Sequence, residues 1–230
     1  MDPNNRITIT VCGDGGCGKS SITLRLVRSE WTHDYDPTIE DSYSVTRTID
    51  GTSYFLQLTD TAGQEEYRSL WASSNLRSDA FLLVYDITNP HSLDGLEYFA
   101  EMIDMETDNR MDKGEVEPIK IVAGNKCDLS SQRVIKSQQG LEWARKRGCG
   151  FMETSAREMV NIEETFALLV RRVVEARRRN APGGFGGAAP TSQSVRTATL
   201  PPNNEKEQSA NLGNKDSHTQ PSLWKRLRCW

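Results

Sequence analysis

The sequence lacks most of the features that would take a chain out of a reducing aqueous compartment. None of its apolar runs approaches the ~18 residues that a bilayer-spanning helix requires, and the opening Met1-Asp2-Pro3-Asn4-Asn5-Arg6 has no hydrophobic stretch of the secretory kind. A secreted or integral membrane protein is therefore not expected. The five cysteines (Cys12, Cys17, Cys127, Cys149 and Cys229) keep no C-x-x-C or other paired spacing, so neither a disulfide framework nor a zinc site is indicated. A reducing cytosol is the expected setting. Apolar residues are scarce as well: at 36% of 230 residues they furnish a core but are lean for the whole length, so part of the chain should stay outside it.

That scarcity is localised. Segment 181–221 holds five of the nine prolines, the run Gly183-Gly184-Phe185-Gly186-Gly187, and only Phe185, Val195, Leu200 and Leu212 as large apolar residues. These are too few to offset the entropy of ordering it, so it reads as a disordered linker. As a flexible chain it would span roughly 35 Å r.m.s.. The last residues, 222–230, carry Lys225, Arg226 and Arg228 with no acid, whereas the whole chain has a net charge of −4. The body, residues 1–180, is thus acidic, which argues against general nucleic-acid binding and leaves the tip to meet anions. Projected at helical spacing, Leu223, Trp224, Leu227 and Trp230 share one arc, and Lys225, Arg226, Arg228 and Cys229 the other. So short a segment forms a helix only on a surface. With ~1 kcal/mol from each basic residue near an anionic leaflet, a weak, reversible membrane contact is expected.

Within 1–180, short apolar strands alternate with helical patterns. Ile7, Ile9 and Val11 alternate into a strand ending at Cys12, and strands at 43–49 and 54–58 flank the turn signal Asp50-Gly51. The runs Phe81-Leu82-Leu83-Val84-Tyr85 and Ile119-Lys120-Ile121-Val122-Ala123 look buried on both faces; Phe151-Met152-Glu153-Thr154 is a weaker last strand. Helical stretches fall at 19–28, about 66–77, 92–105, 137–147 and 161–179. In the last, Phe166, Leu169, Val170, Val173 and Val174 mark one face, and Asn161 with Glu164 forms an expected capping pair. The pattern predicts an α/β fold: a mostly parallel six-stranded sheet with helices on both faces and ligands at the carboxyl ends of the strands.

Gly13-Asp14-Gly15-Gly16-Cys17-Gly18-Lys19-Ser20 matches G-x-x-x-x-G-K-[ST] between a strand and a helix, the setting of a phosphate cradle. The glycines let backbone N–H groups wrap phosphate oxygens, the helix N-terminus adds positive potential, Lys19 neutralises the outer phosphates, and the Ser20 hydroxyl can hold magnesium. Nucleotide kinases, motor ATPases and GTPases share this motif, so it does not choose among them. Asn125-Lys126-Cys127-Asp128, after a buried strand, does choose. Asp128 can accept from both the ring N–H and the exocyclic amine of guanine, whereas adenine would leave the carboxylate unpaired, a discrimination of ~10⁴-fold or more. Lys126 would lie along the base, Asn125 would tie the loop, and Thr154-Ser155-Ala156 would offer a backbone N–H to the guanine oxygen. Asp60 at a strand end is placed to reach magnesium, Gly63 to meet the terminal phosphate and Gln64 to orient the attacking water. Oxygen ligands and a triphosphate favour Mg²⁺ over softer ions.

These residues resemble those of a Ras-type small GTPase over roughly residues 6–179. The resemblance rests on Gly13 to Ser20, on Asp60-Thr61-Ala62-Gly63-Gln64-Glu65-Glu66-Tyr67, on Asn125 to Asp128 and on Thr154 to Ala156. Above all it rests on Tyr35-Asp36-Pro37-Thr38-Ile39-Glu40-Asp41-Ser42-Tyr43, which reads like the Ras effector loop and separates that branch from Rho, Rab, Arf and Ran relatives. The resemblance implies a single P-loop G domain and a signalling switch that binds GTP and GDP with Mg²⁺. It implies Ser20, Thr38 and Asp60 as metal ligands, and Lys19, Gly63 and Gln64 as the hydrolytic set. Nucleotide contacts would extend to Ser21, Trp31, Tyr35, Pro37, Leu129, Ser155, Ala156 and Arg157. The partners implied are effectors at 35–43, an exchange factor and a GTPase-activating protein, on a monomer working peripherally at the inner face of the plasma membrane. The second reading is a hydrolysis-deficient, nucleotide-loaded adaptor that binds effectors constitutively; Gly15 and Gln64 favour the enzyme.

Four departures stand out. Trp31 replaces the usual phenylalanine beside the base, Thr59 occupies a position that is typically apolar, and residues 106–118 exceed the usual length and are expected to form a surface loop. Only Trp230 follows Cys229, so the C-a-a-X prenylation signal of the family is missing. If the base reading is right, nucleotide extracted from the purified chain will be guanine; recovery of adenine nucleotide alone would refute it.

Overall fold

The alternating Ile7, Ile9 and Val11 form the middle of β1 (Arg6–Gly13), an inner strand of the sheet. The computed structural model describes residues 5–29, 40–61 and 76–181, with Glu40 as backbone only. After β1 come α1 (Lys19–Arg28), β2 (Glu40–Ile49), β3 (Thr52–Thr61), β4 (Ala80–Asp86), α2 (Pro90–Asp94), α3 (Leu96–Asp112), β5 (Ile119–Asn125), α4 (Ser137–Lys146), β6 (Gly150–Glu153) and α5 (Ile162–Asn180). The strand order is β2-β3-β1-β4-β5-β6, parallel throughout except for β2 against β3. This is the six-stranded, mostly parallel sheet the alternation implied. β3 and β4 flank β1 on opposite sides, so the order reverses there, and a crevice opens beyond its carboxyl end.

Successive side chains of a strand point to opposite faces, and β4 shows why its run is apolar throughout. Leu82 and Val84 pack with Ile9, Val11, Ile121, Phe166, Leu169 and Val170 in the core under α1 and α5. Phe81, Leu83 and Tyr85 pack with Val122, Leu96, Phe99, Ile103 and Ala144 in the core under α2, α3 and α4. Each fully buried aliphatic or aromatic side chain contributes ~1.5–3 kcal/mol, so the two cores clamp the sheet and fix the strand ends that carry the site. The β2–β3 turn places Asp50 (φ 51°) and Gly51 (φ 79°) in successive left-handed conformations, as a two-residue hairpin of this twist requires. The Asp50 carboxylate accepts two 2.8 Å bonds from Arg171 of α5, tying the hairpin to the last helix.

Four expectations are corrected. The helix expected at 92–105 is two helices meeting at Gly95, and the second runs on to Asp112. Most of the expected 106–118 loop is therefore helical, because Arg110 turns inward and is buried, which anchors the extra turns. Asn161 does not cap α5 with its side chain: it sits at φ 54°, and its Nδ2 donates instead to the Glu153 carbonyl at 2.8 Å. Leu76 and Arg77 form a turn rather than the end of a helix. The remainder of that expected helix, with Trp31, Tyr35 to Ile39, Gly63, Gln64, the linker and the tip, lies outside the described residues.

Candidate functional site

At the end of β1 the backbone turns away at Gly13 (φ 146°), where an added Cβ would stand 2.1 Å from the Val84 carbonyl oxygen. Gly16 (φ 71°) and Gly18 (φ 94°) complete the turn in the left-handed region. An added Cβ at Gly18 would also meet Asn125 Nδ2 at 2.3 Å. α1 then starts at Lys19 with neither a side-chain cap nor an acidic residue in its first turn, so its positive end faces the crevice uncompensated. Lys19 is buried, and its Nζ donates to the Asp14 carbonyl at 3.0 Å, arching over the loop. Asp14 also accepts the Gly15 N–H at 2.8 Å. Gly15 and Gly16 are exposed, Cys17 is buried, and Ser20 and Ser21 are half-buried in the first turn of α1.

Asp60 lies one residue before the end of β3, in register with Val11 of β1 and Asp41 of β2. It is fully buried, and neither carboxylate oxygen completes a hydrogen bond among the described residues. Burial pushes its carboxyl up to about 6, while the Ser20 hydroxyl, which approaches it, and the Lys19 ammonium pull the other way. A buried carboxylate with two orphaned oxygens beside a hydroxyl matches the oxygen donor set of a hard divalent cation.

The other wall is built from the ends of β5 and β6. Asn125 is almost fully buried; its Nδ2 donates to the Cys17 carbonyl at 2.9 Å, and its Oδ1 accepts from Thr154 Oγ1 at 3.3 Å. One amide thus joins the cradle, β5 and the segment after β6. Ser155 Oγ donates to Asp128 Oδ1 at 2.6 Å and accepts the Glu158 N–H at 3.0 Å, which fixes the carboxylate. The Thr154 and Ser155 N–H groups are bonded to the Gly124 and Val160 carbonyls, so within Thr154-Ser155-Ala156 only the Ala156 N–H has no backbone partner among the described residues. Leu129 is half-buried and donates its N–H to Lys126. Arg157 is exposed, and its carbonyl accepts from Arg25 Nη2 at 3.2 Å.

Sequence reasoning missed Asp86. At the end of β4 it pairs with Lys126 Nζ at 2.7 Å through Oδ2, and its Oδ1 accepts from the Thr88 N–H and Oγ1 at 2.8 and 2.7 Å. Lys126 stands at φ 66°, a strained conformation that this anchor helps to hold. The signal was an acid closing a buried parallel strand, the same pattern that marked Asp60. On the far side, Asp41 and Ser42 are exposed on edge strand β2, and Tyr43 is half-buried with its hydroxyl 3.3 Å from Asp41 Oδ2 and Arg28 over its ring at 5.8 Å.

The geometry therefore joins Gly13 to Ser21, Asp60, Asn125 to Leu129 and Ser155 to Arg157 around one crevice. The family model of the Ras family matches residues 8–175, a span that contains all of these positions. The chain belongs to the Ras family. A Ras-like protein of Laccaria bicolor is 42% identical over 189 residues, covering 80% of this chain and 86% of that protein. As a Ras-family small GTPase, the chain binds GTP and GDP and hydrolyses GTP to GDP and phosphate.

Removing the Asp86 carboxylate should loosen Lys126 without touching the cradle. A charge-assisted bond is discounted to about 1 kcal/mol because Lys126 is one-third exposed, so Asp86→Ala should speed GDP release about fivefold. A fluorescent-GDP chase measures this, and an unchanged rate would show that the pair does not support the base site.

Proposed function

We propose that this GTPase is a signalling switch timed by slow hydrolysis, with Mg²⁺ held by Asp60, Ser20 and Thr38. The observation that carries the reading is Asp60: a fully buried carboxylate without a hydrogen-bond partner among the described residues, next to the first turn of α1. Bound there, Mg²⁺ would neutralise charge on the phosphate oxygens and withdraw Asp60 from its unfavourable burial. Lys19 and the open end of α1 hold the phosphates, Gly63 donates to the terminal one, and Gln64 orients the attacking water. Asp128 and the Ala156 N–H read guanine, with Asn125 and Ser155 holding that reader in place.

The terminal phosphate tethers Thr38 and Gly63, and its loss on hydrolysis releases both. Effectors dock on 35–43 in the tethered form; Asp36, Glu40 and Asp41 call for a basic partner surface with Ile39 as an apolar anchor. An exchange factor reloads the site. The tip at 222–230 supplies weak peripheral attachment to an anionic inner leaflet, consistent with its basic and tryptophan-bearing arcs.

Between Trp31 and Asp41 there is no arginine to stabilise charge in the transition state. The isolated chain should therefore turn over GTP slowly, and a partner that inserts an arginine should accelerate it by ~10³–10⁵. Single-turnover phosphate release with and without such an activator tests this, with Gln64→Leu expected to abolish the acceleration. Fast turnover by the chain alone would contradict the timing. No turnover even with the activator would favour a constitutive adaptor.

A further inference from the structure

The extra turns of α3 have a use. Arg110, which closes them, is 8% exposed, and its guanidinium points away from solvent to the chain just before β4. Nη2 donates to the Leu76 carbonyl at 2.7 Å and to the Ser78 carbonyl at 3.1 Å. Nε donates to Glu106 Oε1 at 2.8 Å, and Glu106 Oε2 accepts from Asn109 Nδ2 at 3.2 Å. Arg110 holds the Glu106 carboxyl below its ordinary range. The guanidinium is thus neutralised from its own helix, and its Nη2 alone bonds two backbone carbonyls two residues apart.

Those carbonyls belong to the first described residues after 62–75, the segment that carries Gly63 and Gln64. The rest of this exit is held from rigid elements. Ser78 Oγ meets Thr10 Oγ1 of β1 at 2.7 Å; Asp79 Oδ2 accepts the Thr8 N–H and hydroxyl at 2.8 Å each; Asp79 Oδ1 accepts from Arg177 of α5 at 2.7 Å. Thr8 and Thr10 lie on the strand that leads into the cradle. Arg110 alone among these grips Leu76, the residue nearest the segment.

We propose that Arg110 is a positioning residue for GTP hydrolysis: by clamping Leu76 and Ser78 it fixes the end of the Gln64-bearing segment relative to β1 and the phosphate cradle. The inference rests on the reading of Gly63 and Gln64 given above. Without the clamp the Leu76 and Ser78 carbonyls lose their charge-assisted donor, and the chain leading out of the Gln64-bearing segment is no longer tied to α3. Misplacement by an ångström is worth up to ~100-fold in rate, so partial loosening should cost about tenfold.

The test compares Arg110→Met, which keeps the stem, with Arg110→Lys, Glu106→Gln and Gln64→Leu in the full chain. Single-turnover GTP hydrolysis is measured together with fluorescent-GDP release, and Trp71 emission on exchange of GDP for a non-hydrolysable GTP analogue, recorded with the other four tryptophans replaced by phenylalanine, gives a spectroscopic readout. Arg110→Met should hydrolyse about tenfold more slowly, with GDP release within about twofold of the wild type and a reduced Trp71 response. Arg110→Lys should recover most of the rate, since an ammonium still reaches the carbonyls, and Glu106→Gln should stay near wild type at a lower melting temperature. Hydrolysis at the wild-type rate by Arg110→Met, or GDP release accelerated in proportion to the lost hydrolysis, would overturn the proposal and assign Arg110 a purely structural part. If Arg110→Met does not fold, Arg110→Gln, with one donor left, should be slowed about threefold, and a wild-type rate again overturns the proposal. Slow Gln64→Leu beside a normal Arg110→Met sinks this inference alone; normal Gln64→Leu sinks the reading beneath it as well.

Discussion

The site depends on two close approaches at glycines, one to a backbone carbonyl and one to a side-chain amide. Gly13 lies against the Val84 carbonyl and Gly18 against the Asn125 amide, each too near for any side chain. These contacts bring the loop that follows β1 against the end of β4 and against Asn125 at the end of β5. Asn125 then locks the arrangement by bonding to Cys17 on one side and Thr154 on the other. A few buried hydrogen bonds in a low-dielectric corner hold three separate segments at a fixed distance, as recognition of a nucleotide with phosphates at one end and a base at the other demands.

Asp60 shows the opposite economy. An orphaned carboxylate inside a well-packed sheet destabilises the chain on its own, and the fold tolerates it because Leu56 and Leu58 anchor β3 in the core under α1 and α5. A cation reaching such a group would make it favourable, and under the proposed reading that would link ligand binding to stability at this position. Lys126 in its left-handed conformation, held by Asp86, is a smaller instance of the same arrangement.

Much of the fold and site was legible in the sequence because the chemistry confines residue type. Gly13, Gly18, Lys19 and Ser20 admit few substitutes, strands buried on both faces must read as unbroken apolar runs, and Asp50-Gly51 is nearly obligatory for its turn. What escaped detection involved side chains whose partners are backbone atoms or distant in sequence. Arg110 sits in Glu106 to Asp112, a polar stretch without apolar periodicity, so nothing local announced a helix; burial of one guanidinium against Leu76 and Ser78 produced it. Asn161 has the composition of a cap, but the Glu153 carbonyl competes for its amide and wins. Asp86 was hidden because a single acid after an apolar strand resembles any strand end until Lys126 comes within 2.7 Å of it.

The central claim is that one phosphoryl group holds residues 35–43 and 62–75 in the form partners recognise. Hydrogen–deuterium exchange of the full chain loaded with GDP, and with a non-hydrolysable GTP analogue, measures this directly. The account predicts that amides in both segments exchange markedly more slowly in the triphosphate form, while those of β1, β4 and β5 are unchanged. Equal exchange of both segments in the two forms would contradict it.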